Sequence, residues 1–266
     1  MAALSDLIME TPLILITGGS SGIGKASAKQ FVQQGARVVI VARNIDKLKA
    51  AIQEIDPSGQ SVSYYSADLT DQASVERLAD EIIQHEGLPD IVVNSAGAGE
   101  WLSLEETTPS HFIETINSPY LATALTCKVF YDRMQQRGNG HFILLNSVAC
   151  YFSFPRVVGY GPARWAMLGL ARSLQADLHG TDFKVSMIAL GKVQTPYFVQ
   201  NARSEDRIPK VVKWLVPTMT EEAAGHVVVR TAKSRRKIVN RPWQMAIFIE
   251  LNRFFPGTFR WLTRIG

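Results

Sequence analysis

The stretch TGGSSGIG, residues 17–24, lies between the apolar run PLILIT (12–17) and KASAKQFVQQG (25–35). The second of these has apolar residues at helical spacing and ends in glycine, a usual helix stop. Strand, glycine-rich turn and helix in that order make a cradle for a pyrophosphate. Gly18 and Gly22 allow turns that a side chain would obstruct, and Gly24 lets the helix pack close to the strand. The free N–H groups at the helix start, with Ser20 and Ser21 in the loop, suit an anion. The same glycines could form an ordinary turn. The strand before and the helix after are what point to a dinucleotide.

Outward from this loop the chain alternates. RVVIVA (37–42), SVSYYS (61–66), DIVVN (90–94), HFILLNS (141–147) and KVSMIAL (184–190) read as strands. Between them DKLKAAIQEI (46–55), ASVERLADEIIQ (73–84), a long pattern over 109–136 and YGPARWAMLGLARSLQADL (160–178) read as helices. Most of the strands are β-branched runs without a polar face, which suits a parallel sheet covered on both sides. Alternation over this length predicts a doubly wound α/β domain. No linker-like segment and no internal repeat interrupts it, so a single domain is expected over 1–240, with 191–217 as a long loop and 241–266 as an extension of the same domain.

Composition agrees with a folded globular chain: 266 residues, 46% hydrophobic and 20% charged. Cys127 and Cys150 have no C-x-x-C spacing, the five histidines are scattered, and no H-E-x-x-H occurs, so no metal site is expected. Two lone cysteines make a reduced, cytoplasmic compartment the default. Net charge is +4, but the basic residues are dispersed. The one dense run, KSRRK (233–237), reads as a solvated loop end, and no nucleic-acid partner is expected. MAALSDLIME (1–10) carries acids and no basic n-region, unlike a secretory signal. No apolar run of about 18 residues is present to span a membrane.

At the end of the second strand stand Ala42 and Arg43. A site for NAD usually offers a carboxylate there to the ribose 2′-hydroxyl. Here a guanidinium is available to grip a 2′-phosphate instead, which points to NADP(H). The alternative is that Arg43 simply caps a strand end.

With TGGSSGIG followed by ADL (67–69), NSAG (94–97), Asn117, Ser147 and Tyr160 in order, the chain resembles the short-chain dehydrogenase/reductases from about residue 12 to 200. The resemblance implies a Rossmann-type sheet of about seven parallel strands and hydride transfer between a nicotinamide and an alcohol or ketone. It assigns Gly18, Gly22, Ile23 and Gly24 to the family's TGxxxGIG loop. Asp68 and Leu69 match its adenine-contacting pair, although Asp68 could equally cap the following helix. Asn94, Ala96 and Gly97 match its NNAG, with Ser95 in place of the second Asn. Asn117 matches the Asn that holds a water, Ser147 the substrate-orienting Ser and Tyr160 the proton donor. LGKVQTP (190–196) resembles PGxVxTP, with Val193 and Thr195 at the nicotinamide carboxamide. It also implies a homodimer or homotetramer.

One departure matters. The family reads YxxxK, and this chain reads Tyr160–Arg164. A cation beside the phenol favours phenolate, and in the family the Lys also binds the nicotinamide ribose. Arg keeps both roles in principle, as a cofactor-binding and catalytic cation. It is longer, planar and effectively never deprotonated, so the change is not conservative. A working reductase, a weakened one, and a protein that binds NADP(H) without turnover all stay open. Pro162 need not break a helix whose first turn it occupies.

Aromatics in 191–217 (Tyr197, Phe198, Trp214) and in CYFSFP (Tyr151, Phe152, Phe154) either line an apolar substrate pocket or pack the core. VARNIDKL has the look of lipid-ketone reductases of the 3-ketodihydrosphingosine type. The tail 241–266 mixes Trp243, Phe248, Phe254, Phe255, Phe259 and Trp261 with Arg241, Arg253, Arg260 and Arg264. It reads as a hood over the substrate mouth or a subunit contact, or else as a surface helix on anionic lipid.

Overall fold

The computed structural model describes residues 11–97 and 99–262. The reading of residues 1–10 and of Arg264 in the tail lies outside them. Seven strands form one sheet in the order β3-β2-β1-β4-β5-β6-β7. They are β1 (Leu13–Thr17), β2 (Arg37–Ala42), β3 (Val62–Ser66), β4 (Ile91–Asn94), β5 (Asn139–Ser147), β6 (Asp182–Leu190) and β7 (Ile238–Arg241). Every neighbouring pair is parallel. The expected Rossmann-type α/β fold is present.

Each strand feeds two cores because successive side chains point to opposite faces. Leu13, Leu15, Val39 and Val41 join one buried cluster, while Ile14, Ile16, Val38 and Ile40 join the other. The first face is covered by α3 (Gln72–His85), α5 (Ala122–Met134) and α6 (Tyr160–Asp177), through residues such as Leu78, Phe130 and Met167. The second is covered by α1 (Gly22–Gln33), α2 (Ile45–Ile55) and α10 (Glu221–Ser234), through Phe31, Leu48 and Val228. This is the double winding that the apolar strands predict.

Local chemistry sets the helix starts. Asn44 and Asp71 accept from Lys47 N–H and Ser74 N–H, capping α2 and α3. The cap of α3 is thus Asp71, not Asp68. The expected long helix over 109–136 is three pieces: α4 (Pro109–Ile116), a π turn (Asn117–Leu121) and α5. Pro119 in the middle piece has no N–H to donate, and the Ala122 N–H reaches back five residues to the Asn117 carbonyl. Three short helices, α7 (Pro196–Gln200), α8 (Ala202–Asp206) and α9 (Lys210–Leu215), occupy the long loop. The chain beyond β7 forms α11 (Trp243–Phe254) and α12 (Pro256–Leu262). Among the described residues no helix is long and apolar enough to cross a membrane.

Candidate active site

Strand order reverses between β1 and β4, and the crevice of such a sheet opens there, at the carboxyl ends of the strands. The β1–α1 loop is held at that point from two sides. Gly18 N–H donates to the Val41 carbonyl (2.7 Å), and Thr17 Oγ1 accepts from the N–H groups of Ser95 (3.1 Å) and Ala96 (3.2 Å). Gly18 has φ +68°, and a Cβ there would stand 2.9 Å from the Ala96 backbone. A Cβ on Gly24 would stand 2.3 Å from the Gly18 carbonyl oxygen. Both positions therefore need glycine, one for its backbone angle and contact and one for contact alone.

A cavity of about 320 Å³ runs from this loop into an apolar chamber. At the loop end it is lined by Gly18, Ser20, Ser21, Gly22 and Ile23, with Ala96 and Gly97 opposite and Val193 and Thr195 beside them. Ser147, Tyr160 and Arg164 line its middle. Beyond them the wall is apolar, including Trp101, Phe152, Phe154, Phe198 and Met245. Of the aromatics read as either pocket or core, Phe152, Phe154, Tyr197 and Phe198 line the cavity, while Trp214 points to solvent at 91% exposure.

Tyr160 opens α6, and Pro162 falls within its first turn, as expected. The i, i+4 spacing stacks the pair: the Arg164 Cζ lies 4.7 Å from the centre of the Tyr160 ring. The guanidinium also lies against Gly97, where a Cβ would come within 3.3 Å of Nη2. Arg164 is buried, its Nε has no hydrogen-bond partner, and among the described residues no carboxylate stands within ion-pair distance. A buried cation left unpaired beside a cavity is a group built to meet something that enters it. The donor-lined glycine loop and this cation together fit a dinucleotide.

Asn146, unmarked by sequence, ties the site together. Its Oδ1 accepts from Ser147 N–H (2.8 Å) and its Nδ2 donates to the Arg164 carbonyl (3.1 Å). One side chain thereby fixes the end of β5 against the helix that carries Tyr160 and Arg164. Trp101, also unmarked, packs at a tilt against both Tyr160 (5.5 Å between ring centres) and Phe154 (5.1 Å). Its backbone is clasped by the long loop: Trp101 N–H donates to Ser204 Oγ (3.0 Å), and Arg207 donates to its carbonyl and to Glu106. Arg207 and Ser103 hold the Glu106 carboxyl down at about 2, so this clasp stays charged over ordinary pH.

The remaining expected residues stand around the cavity rather than in its wall. Asn117 is half-buried in the π turn, whose Pro119 packs against Gly97. Asn94 is buried under the loop and donates to Cys127 Sγ (3.5 Å). Leu69 is a core residue. Asp68 accepts from the N–H (2.9 Å) and hydroxyl (2.7 Å) of Thr70; these bonds, and more weakly the nearby Arg43 cation, lower its carboxyl below the usual range. Arg43 itself is exposed beyond β2. Cys150 and Cys127 are fully buried, and burial pushes both thiols up to about 12. For Cys150 the Arg164 cation opposes the rise.

Known proteins resemble this chain in sequence and fold. A 1-deoxy-11-beta-hydroxypentalenate dehydrogenase of Streptomyces exfoliatus is 34% identical over 193 residues, which is 71% of this chain and 70% of that protein. A PIGF/3-ketodihydrosphingosine reductase fusion protein of Schizosaccharomyces pombe is 32% identical over 221 residues, 80% of this chain but 44% of that longer one. Among solved structures, an alcohol dehydrogenase from the archaeon Thermococcus sibiricus, complexed with 5-hydroxy-NADP, superposes with a TM-score of 0.73 at 26% identity, covering 87% of this chain and 95% of that one. A short chain dehydrogenase/reductase from Burkholderia phymatum in complex with NAD reaches 0.82 at 20% identity, covering 94% and 96%. Residues 12–206, which carry the glycine loop, the end of β5 and the Tyr160 helix, match the short chain dehydrogenase profile, and the chain belongs to that family of oxidoreductases.

Proposed function

We propose that the protein is an NADP(H)-dependent oxidoreductase that interconverts a ketone and an alcohol on an apolar, bulky, lipid-like substrate. The observation that carries this reading is a cavity lined at once by the glycine loop, by Ser147, Tyr160 and Arg164, and by an apolar wall. NADP(H) is favoured over NAD(H) by Arg43, a cation placed after β2 with no carboxylate in its stead. In this role Gly18 to Gly24 hold the pyrophosphate, Asp68 and Leu69 border the adenine, and Asn94, Ala96 and Gly97 let the cofactor approach. Val193 and Thr195 face the carboxamide.

A bound nicotinamide would supply the hydride to the carbonyl carbon, or take it from the alcohol carbon in the reverse direction. Tyr160 gives its phenolic proton to the oxygen as the alkoxide forms, and takes it back in the reverse direction. Ser147 donates a hydrogen bond to the same oxygen and fixes its place. Arg164 supports the phenol with its charge and would bind the ribose hydroxyls of the cofactor. Asn117, half-buried in the π turn, would hold a water that reloads the phenol from solvent. The apolar wall excludes other water and selects the substrate.

A second reading has its own observation. The guanidinium lies over the Tyr160 ring, so a site that binds NADP(H) and turns it over weakly or not at all is the alternative. Tyr160→Phe separates the two. As a reductase, the wild type oxidises NADPH with an apolar ketone and the Phe variant loses at least ~10²-fold of that rate, with little change in NADPH affinity. No turnover in the wild type with any apolar ketone, despite NADPH binding, selects the binding protein.

Further parts of the proposal are a cytoplasmic location, favoured by two free buried thiols, and a homodimer or homotetramer. For assembly, α4 and α6 offer exposed Phe112, Ile113 and Trp165. The hood reading of the tail is favoured by Met245, which is buried against Phe152 and Val216 at the cavity wall.

A further inference from the structure

Helix α11 is apolar on two sides. Its inner side seats Met245 on Phe152 and Val216, with Phe248 and Ile249 packed on the same cluster. Asn252 on that side donates to the Tyr151 carbonyl (3.2 Å). Trp243, Ile247, Leu251 and Phe254 follow at i, i+4, i+8 and i+11, which places them within about 80° of one another on the other side. All four are exposed, Trp243 at 62% and Phe254 at 69%. Phe255, which follows α11, and Trp261 on α12 are exposed too. So are Trp214 and Leu215 on α9, a helix that joins the same cluster through Val212. Single exposed apolar residues are ordinary, but a neighbourhood of this size marks a contact surface.

We propose that this face docks on an anionic lipid bilayer, with α11 lying among the headgroups and the cavity behind it turned towards the membrane. Charge decides for this occupant. Residues 210–215 and 243–262 carry Lys210, Lys213, Arg253 and Arg260 against the single acid Glu250. Tryptophan and phenylalanine among basic residues are the composition of helices that lie in an interface. A second copy of the chain would set this excess of positive charge against itself across a two-fold axis. The proposal rests on the reading of the cavity only for its purpose: an apolar substrate would reach the site from the bilayer past Met245. Docking itself does not need that reading.

The test uses the full chain and vesicles of phosphatidylcholine, with and without phosphatidylserine, read by cosedimentation and by the blue shift of tryptophan emission. The wild type is expected on the anionic vesicles. Lys210→Gln with Lys213→Gln should weaken binding about 30-fold, the size expected for two basic residues near such a surface. Trp214→Ser with Phe254→Ser should weaken it at least about 10-fold. Unchanged NADPH affinity identifies both variants as folded. Failure of the wild type to sediment with anionic vesicles, or variants that bind as the wild type does, would overturn the proposal. A wild-type dimer that Trp214→Ser with Phe254→Ser dissolves in sedimentation velocity would assign the face to a second copy and also overturn it. Vesicle binding without any NADPH turnover leaves docking in place and removes the reductase reading. Turnover without vesicle binding does the reverse.

Discussion

Replacing Arg164 by Met should separate stability from activity. A cation taken out of water costs several kcal/mol, and a donor buried without a partner, as Nε is, about 1–3 kcal/mol. The Tyr160 ring 4.7 Å away returns about 2 kcal/mol in a desolvated setting. One side of the guanidinium faces the cavity, where solvent screens it, so the net cost to the ligand-free protein is discounted to about 1–2 kcal/mol. Methionine fills much of the same volume without the charge. The ligand-free variant should therefore melt about 2–6 °C higher than the wild type. Its turnover should fall ~10²-fold or more, the size of losing acid–base support, and its NADPH affinity should fall as well. Arg164→Lys should turn over as fast as the wild type or faster, because an ammonium can pass a proton on where a guanidinium cannot. The assays are thermal unfolding without ligand and steady-state NADPH oxidation with one good ketone. A Met variant that melts several degrees lower and works normally would refute the reasoning, for then the cation is structural. A Lys variant much slower than the wild type would mean that the site is built around arginine.

Other outcomes follow from the same geometry. Arg43→Ala should weaken NADPH binding ~10–100-fold, the loss of a charge-assisted contact to phosphate, and leave NADH unchanged; equal affinities in the wild type would end the argument for NADP(H). Asn146→Leu leaves the half-buried Ser147 N–H without its partner, so it should lose about 1 kcal/mol and slow turnover with little effect on NADPH affinity; a loss of stability alone would make Asn146 a core residue and no more. His141, buried with Nε2 2.8 Å from Ser186 Oγ, is held down at about 4, first by burial and then by Arg235 and Lys184. Its folded value lies below the unfolded one of about 6.5, so its share of stability is full above that pH and is lost as pH falls towards 4. Between pH 7.5 and 5 this amounts to about 2 kcal/mol. Urea midpoints of His141→Asn should fall less steeply over that interval than those of the wild type, and parallel slopes would show that His141 does not titrate as described.

The features legible in the sequence are those whose cause is local. TGGSSGIG reads correctly as the join of a strand, a turn and a helix because the three are contiguous. Tyr160 and Arg164 stack because four residues on a helix make one face. The strand β7 escaped notice because its four residues sit beside KSRRK, and only pairing with β6 makes them a strand. The pattern over 109–136 reads as one helix because periodicity cannot see that Pro119 leaves a gap in the ladder. Asn146 and Trp101 look like a strand residue and a loop residue; their place in the site depends on α6 and on the 204–207 segment, far away in the chain. The tail is legible as amphipathic, but its second apolar face exists only once the first has been spent on Phe152 and Val216.

The two buried thiols give this core a clock. Alkylation needs both thiolate and access, and the closed protein withholds both from Cys127 and Cys150. Labelling can proceed only through transient opening, so its rate measures how often the protein opens. The two positions time different events. Cys150 follows Ser147 by three residues and is next in sequence to Ala149 of the cavity wall, while Cys127 lies on α5 beneath Asn94 and the sheet. A ligand that fills the cavity should slow the first clock more than the second, and the ratio of the two rates would follow occupancy of the site without any turnover.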